Sequence, residues 1–267
     1  MKNNRALMYL TTFTMLFACQ KENSLLPTST ADPDAERYAN LHRPTSVTTD
    51  GNRFTFSYEA DGRLISRVSE TETFYVKRDQ MNRVAEIDIT QRTPFVFRGS
   101  LEMESKQRII YGYLGENKYP FKAAVMKSVP GNDEYAIQNI SFEFDKRGAK
   151  LRETTQDLVN NLDTKTDYIY DELGRMTMMT EYTGKEILKS MKITQFAKGF
   201  GVYTLVPELS LLPGEAVQKG LPDIIQISDR NSTVTTYYNY EQNANLQPTI
   251  INSRDNNGIV SSSTINY

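Results

Sequence analysis

After residue 45, apolar and polar positions alternate with a period of two through most of the chain. The alternation is clear in Phe54-Thr55-Phe56-Ser57-Tyr58, in Ile140-Ser141-Phe142-Glu143-Phe144 and in Val234-Thr235-Thr236-Tyr237-Tyr238-Asn239-Tyr240, where aromatic and β-branched residues hold one set of positions. Successive side chains of a strand point to opposite faces, so this pattern predicts half-buried antiparallel strands; strands covered on both faces read instead as continuous apolar runs. Turn residues punctuate the pattern at Pro130-Gly131-Asn132-Asp133 and at Asp255-Asn256-Asn257-Gly258, the latter joining Ile250-Ile251 to Ile259-Val260 as a last hairpin. The fold class expected is all-β: an extended antiparallel meander forming one large curved sheet or partly closed barrel, with one or two short helices in long connections.

The clearest hairpin is Tyr168-Ile169-Tyr170-Asp171-Glu172-Leu173-Gly174-Arg175-Met176. Asp171 can accept a hydrogen bond from a backbone N–H two residues on, Glu172 and Leu173 suit a type I corner, and Gly174 supplies the left-handed residue that closes it. This predicts Asp171 opposite Arg175, Tyr170 opposite Met176 and Tyr168 opposite Met178. The same pattern recurs at Phe56-Ser57-Tyr58-Glu59-Ala60-Asp61-Gly62-Arg63-Leu64, with Glu59 facing Arg63. A degraded copy carries Val76, Arg78, Asp79, Asn82, Arg83 and Val84, with Asn82 in place of Gly because Asn tolerates a positive φ. Another runs through Tyr111, Tyr113, Asn117, Lys118 and Tyr119. A fifth (Phe142, Phe144, Asp145, Gly148, Leu151) is expected to hold one extra turn residue, and a sixth (Tyr238, Tyr240, Glu241, Asn245, Leu246) has Ala244 where Gly is expected. The predicted structural turn positions are therefore Gly62, Asn82, Asn117, Gly148, Asp171, Gly174 and Asn245.

The runs Y-D-E-L-G-R-M at Tyr170 to Met176 and Y-E-A-D-G-R-L at Tyr58 to Leu64 resemble the YD repeats of the Rhs family. With the N-terminal features described next, and Pro120-Phe121-Lys122 after one copy, the arrangement is similar to the YD-repeat-like lipoproteins of Bacteroidetes-type bacteria. The resemblance covers roughly residues 45–267; it implies architecture and an envelope location, and carries no activity.

Residues 1–18 have Lys2 and Arg5 in front of an apolar core from Ala6 to Phe17, ending in Leu16-Phe17-Ala18 before Cys19, the chain's single cysteine. This predicts a signal peptide, its core too short for a spanning helix of about 20 apolar residues. The context of Cys19 resembles a lipoprotein lipobox, which implies that Cys19 becomes the first mature residue and carries the acyl chains. Cleavage near Ala18 without lipid is the alternative. Several acyl chains anchor stably where one does not. Gln20-Lys21-Glu22 resembles the signal for the outer face of the outer membrane. Residues 19–45, with Pro27, Pro33, Pro44 and many Ser, Thr and Asp, are predicted to form a lipidated flexible tether, and 46–267 a single β domain.

Two segments break the rhythm. Residues 121–129 are predicted as a short helix or a turn. Residues 199–222 are rich in Gly, Pro and apolar side chains. They are expected either to fold over an open end or face of the sheet, with one helical turn within 207–219, or to present Phe200, Tyr203, Leu205, Leu209, Leu211 and Leu212 to a ligand or partner.

Composition narrows the chemistry. The chain holds 31 Lys and Arg against 33 Asp and Glu; without Lys2 and Arg5 the count is 29 against 33, a net charge of minus 4, and no basic stripe suits nucleic acid. With one histidine, His42, in the predicted tether and one cysteine, no His/Cys zinc site or His-based triad can be assembled, and no G-x-S-x-G, P-loop or G-x-G-x-x-G occurs. No cofactor or metal is expected. The turns at Asp255 to Gly258 and Asn132 to Glu134 lack the spacing of a calcium loop. Glu59, Asp79, Asp145, Asp171 and Glu241 are accounted for as turn residues and cross-strand partners. Half of the 16 tyrosines sit at positions of the repeat and are expected to be structural, so a ligand site is expected to use others, such as Tyr203 or Tyr182. The function expected is a non-catalytic, lipid-anchored outer-membrane protein, exposed at the cell surface, that binds a glycan, a peptide or an envelope protein. The alternatives are an apolar-ligand carrier or assembly factor with a cupped sheet and, last, a hydrolase using an Asp/Glu pair.

Overall fold

The structure, a computed structural model, describes residues 38–97, 100–129 and 133–267. Its strands are β1 (Ser46–Thr49), β2 (Asn52–Tyr58), β3 (Leu64–Val68), β4 (Glu72–Arg78), β5 (Val84–Gln91), β6 (Phe95–Phe97), β7 (Ser100–Glu102), β8 (Ser105–Gly112), β9 (Lys122–Ser128), β10 (Tyr135–Phe144), β11 (Lys150–Asp157), β12 (Leu162–Tyr170), β13 (Met176–Thr183), β14 (Glu186–Ala197), β15 (Leu221–Asp229), β16 (Thr233–Gln242), β17 (Pro248–Asp255) and β18 (Val260–Asn266). Sixteen of them pair antiparallel in a closed barrel, in which β18 returns to β1; β6 and β7 form a separate two-stranded hairpin between β5 and β8. Closure leaves the barrel itself no free edge for another chain to extend.

The organising turn forms as its chemistry dictates. Asp171 Oδ1 accepts from the N–H groups of Leu173 and Arg175 at 3.0 and 2.9 Å, its Oδ2 accepts from Arg175 Nε at 2.7 Å, and the Gly174 N–H donates to the Asp171 carbonyl at 2.9 Å. Asp79 repeats these bonds with Met81, Arg83 and Asn82, and Glu59 pairs with Arg63 at 2.6 Å. The closing residue is left-handed at Gly62, Asn82, Gly148 and Gly174. A register shift precedes the turn in each of these hairpins, so Tyr170 faces Met176 as expected but Tyr168 faces Met179, not Met178. Because Gly174 has a φ of 70° and a would-be Cβ would meet only the flexible Lys219 side chain, at an ordinary contact distance of 3.6 Å, Gly174→Val is expected to cost about 1–3 kcal/mol through backbone strain and Gly174→Asn less. Denaturant melts showing equal losses would refute the turn's role.

Four sequence expectations change at these turns. The fifth copy has no extra residue: Phe144 faces Lys150 just as Tyr170 faces Met176, so Lys150, not Leu151, holds the inward position. In the sixth, Asn243 rather than Glu241 plays the part of Asp171, accepting from the N–H groups of Asn245 and Gln247 at 2.9 and 3.1 Å; Leu246 is left-handed with a φ of 58°, neither Ala244 nor Asn245, and Glu241 stays in β16 opposite Ile250. In the fourth, the left-handed residue is Gly115, not Asn117. Residues 122–128 are strand β9, because Ala123 and Val125 point inward in alternation with Lys122 and Ala124.

Each pair of strands returns the chain to the same end, so all these turns crowd one rim, hereafter the near rim. There the tyrosines that close even-numbered strands staple the wall: Tyr170 OH donates to the Lys150 carbonyl at 3.0 Å, Tyr58 OH to Pro44 at 2.9 Å, Tyr113 OH to Val84 at 2.7 Å and Tyr267 OH to Pro248 at 2.6 Å. Arg78 takes the tyrosine's place in its copy, donating from Nη2 to the Leu64 carbonyl at 3.2 Å. The structural assignment of the repeat tyrosines therefore has a specific basis: an apolar ring in the core and a hydroxyl spent on the neighbouring strand.

Candidate functional site

The wall has an apolar inside and a mainly polar and charged outside, on which scattered apolar side chains such as Tyr75, Ile110, Ile169 and Tyr237 are also exposed. Along β2, Phe54, Phe56 and Tyr58 point in while Arg53, Thr55 and Ser57 point out; along β10, Ile140 and Phe142 point in while Asn139, Ser141 and Glu143 point out. The outer surface is laced with ion pairs: Lys77 reaches both Glu86 and Asp88 at 2.6 Å, Arg152 reaches Asp167 at 2.7 Å and Glu143 at 3.3 Å, and Lys165 reaches Asp167 at 2.7 Å. A bilayer-spanning barrel carries the reverse pattern, an apolar band about 25 Å tall facing lipid, and each Lys or Arg at its midplane costs about 2–4 kcal/mol. These strands do not form a lipid-facing wall. No described helix is long and apolar enough to cross a membrane either.

A 16-stranded barrel is wide enough to leave a channel. Here the connection between β14 and β15 fills its near end. Residues 198–220 turn back into the barrel and carry a short 3₁₀ helix, η1 (Pro207–Leu211), with Val202, Val206, Leu209 and Leu211 buried against Phe56, Leu64, Phe74 and Tyr111. This corrects one of the two expectations for the segment: Leu209, Leu211, Tyr203 and Leu212 are packed on the core, and with Phe200 and Leu205 they belong to a plug rather than to an exposed ligand surface. Burial of the apolar side chains is the physical reason, since the near end would otherwise hold an unfilled apolar space.

The wall grips the plug through polar bonds. Glu208 Oε1 accepts from Arg78 Nη2 at 2.7 Å and from the Leu64 N–H at 3.2 Å. Lys150 Nζ donates to the Leu212 carbonyl at 3.0 Å and to Glu153 Oε2 at 2.8 Å, and both Glu153 oxygens accept from the Gly214 N–H, at 2.9 and 3.1 Å. Tyr111 OH donates to the Leu211 carbonyl at 3.1 Å, and Gln218 Nε2 to the Met176 carbonyl at 2.8 Å. Lys150 stands where the other copies place Leu64, Val84 and Met176, and it is fully buried. Burial pushes its ammonium below the ordinary lysine range, against the attraction of Glu153.

Beneath the plug a second pair, Arg67 and Glu72, sits under the rings of Phe54 and Phe74. Glu215, partly buried in the plug, is acted on electrostatically by both pairs. Burial raises its carboxyl above the ordinary range, opposed by Arg67 and Lys150 and assisted by Glu153 and Glu72. A carboxyl with a raised folded value adds stability that is fully present below about pH 4.3 and is lost as pH rises through that folded value. Glu215→Gln is therefore expected to gain stability relative to the wild type as pH rises from about 4 to 8. Denaturant midpoints that keep a constant difference between the two across that range would refute it.

The remaining predicted positions are dispersed. Cys19 lies outside the described residues. Tyr182 is on the outer wall with Lys165 over its ring at 5.3 Å, whereas Tyr203 is in the plug near Arg67 and Glu215. His42 is not free in a tether: its N–H donates to Gln247 Oε1 at 3.0 Å and its carbonyl accepts from Gln247 Nε2 at 2.8 Å, so residues 38–45 pack on the near rim. Among the described residues, no three His, Cys, Asp or Glu side chains converge as a metal-holding group. Sequence reading missed Lys150, Glu153, Glu208 and Glu215. The signal for Lys150 was its place in the turn, two residues after Gly148, once the copies are aligned without the extra residue.

No protein-family model matches the chain, and no curated protein does. Among solved structures, a porin-like protein from Bacteroides uniformis overlaps 84% of this chain and 97% of its own, at 11% identity and a TM-score of 0.39, an overlap too loose to bear on function.

Proposed function

We propose that the chain is a non-catalytic lipoprotein of the outer membrane, a water-facing barrel held there by lipid at Cys19, which binds a glycan, peptide or envelope protein partner. The observation that carries this reading is the polar outer wall: a barrel that cannot face lipid with its strands reaches a membrane through something outside them, and the segment preceding residue 38 has the pattern of a signal followed by an acylated cysteine. The plug further supports a binding rather than a conducting role, because it occupies the near end of the interior with buried side chains and wall bonds. The resemblance of the turns to YD repeats agrees with an envelope location. Metabolic labelling with a fatty-acid analogue is expected to mark the wild type, and Cys19→Ser to release the protein from the membrane; absence of label on the wild type would overturn the reading.

The hydrolase alternative has one observation in its favour, the grouping of Glu215 with Glu153 and Glu72. Glu153, however, is bonded on both oxygens to the plug and Lys150, and Glu72 is paired with Arg67, so neither is placed beside Glu215 as a second carboxylate free to act on a substrate.

A further inference from the structure

We infer that a hollow on the outer wall across β8 to β12 is a ligand site, and that its ligand is a neutral oligosaccharide. The inference deepens the binding role proposed above and does not depend on the lipid anchor. Cross-strand pairing sets Ile110, Ala124, Asn139, Gln156 and Asp163 in one outward row and Gly112, Lys122, Ser141 and Thr154 in the next. The two rows line a hollow of about 690 Å³, the size of sites that hold small organic ligands. Small outward residues, Gly112, Ala124 and Ser141, recess the wall between the longer side chains of Ile110, Asn139 and Gln156. Neighbouring strands lie about 4.8 Å apart, so the first row crosses about 19 Å of wall, room for several linked sugar rings rather than one.

The hollow interrupts the charged wall. On one side Lys77 pairs with Glu86 and Asp88, and Arg108 with Glu86 and Glu134; on the other Arg152 pairs with Glu143 and Asp167, and Lys165 with Asp167. Between them, among the described residues, Lys122 and Asp163 are the charged members of the lining. The Lys122 stem lies across Gly112 and its ammonium sits over the Phe121 ring at 5.2 Å, so Pro120-Phe121-Lys122 holds this charge at the margin, while Asp163 ends the first row on β12. A strongly charged ligand therefore meets no counter-charge along the middle. A peptide strand meets no open edge either, because each of β8 to β12 is paired on both sides. What the middle offers is amide and hydroxyl. Asn139 Nδ2 donates to Gln156 Oε1 at 3.3 Å, which orders the two amides and leaves Asn139 Oδ1 to accept and Gln156 Nε2 to donate; the Ser141 and Thr154 hydroxyls do both. The hydroxyls of a neutral sugar, which also donate and accept, answer all four, and the C–H faces of its rings rest on Ile110 and Ala124.

The test titrates the full-length protein, solubilised in detergent, with maltohexaose, cellohexaose, xylohexaose and N-acetylchitohexaose and with their monosaccharides, followed by calorimetry. At least one hexasaccharide is expected to bind, and more tightly than its monosaccharide. Asn139→Ala with Gln156→Ala is expected to weaken that binding on the order of tenfold, the loss of two hydrogen bonds, with the melting midpoint unchanged because both side chains are exposed. Ala124→Trp, which fills the hollow, is expected to abolish it, whereas Asn252→Ala, an exposed amide on β17, leaves it unchanged. Binding that survives in the Asn139, Gln156 and Ala124 variants overturns the site and leaves the binding role standing. No binding of any hexasaccharide by the wild type overturns the inference. Shortened sugars recovered after incubation overturn the non-catalytic reading, and this inference with it.

Discussion

Glu153→Ala is expected to destabilise the protein by about 3–5 kcal/mol, the range found when one partner of a buried ion pair is removed and the other is left uncompensated. The Lys150 side chain has no exposed surface, and around it besides Glu153 are the Leu212 carbonyl, the faces of Phe142 and Tyr168, at 5.1 and 5.8 Å, and the weaker attraction of Glu215. Without Glu153 the ammonium must stay charged in an apolar setting or give up its proton, and the Gly214 N–H loses its acceptor. The pH dependence identifies the cause. A lysine whose folded value lies below its unfolded value of about 10.4 binds fewer protons in the folded state, so its contribution to stability rises with pH up to that value. The deficit of Glu153→Ala should therefore shrink as pH rises from 7 towards 10, and Lys150→Met combined with Glu153→Ala should be less damaging than Glu153→Ala alone, because methionine is what another copy of the repeat places there. Urea midpoints for the single and double variants measure both; a deficit that is constant with pH would mean that Lys150 does not carry it.

Gly201→Ala is expected to be nearly as severe, about 3 kcal/mol, at the upper end of what overpacking a closed site costs. Gly201 lies in the neck of the plug, where its N–H donates to the Lys219 carbonyl at 3.0 Å and the two limbs of the connection run side by side. A methyl group there would come within 1.9 Å of the Gln218 carbonyl oxygen, a backbone atom that cannot swing aside as the end of a long side chain would. Relief requires the neck to open, which costs the Gly201–Lys219 bond and pulls Gln218 from the Met176 carbonyl. The expected signature is local: limited proteolysis should cut within 198–220 in the variant under conditions where the wild type resists. Resistance equal to the wild type, with an unchanged melting midpoint, would show that the neck is not rigid.

The strands, their antiparallel pairing and most hairpin turns were legible in the sequence, because each depends on neighbours within about ten residues: a period of two in side-chain polarity, an Asp that folds back on its own backbone, and Gly174 or Asn82 where φ must be positive. Where local signals are ambiguous, the structure departs from them. Leu246 adopts the left-handed region without being Gly or Asn, and the bulge before each turn moved Tyr168 from Met178 to Met179. Closure of the barrel is decided by a pairing between β1 and β18, more than 210 residues apart, for which no local pattern exists. The same holds for the plug. An apolar, proline-rich connection reads identically whether it lies outside a sheet or inside a barrel, and only the space left by sixteen strands, with Lys150, Glu153 and Arg78 placed to bond it, puts it within. The sequence by itself thus determined the strand pattern, the turn chemistry and the polar alternation of the wall. The tertiary structure alone decided which face of that alternation is outside, what fills the interior, and that the buried charges meet there, since each is a property of chain segments distant in sequence brought together by closure.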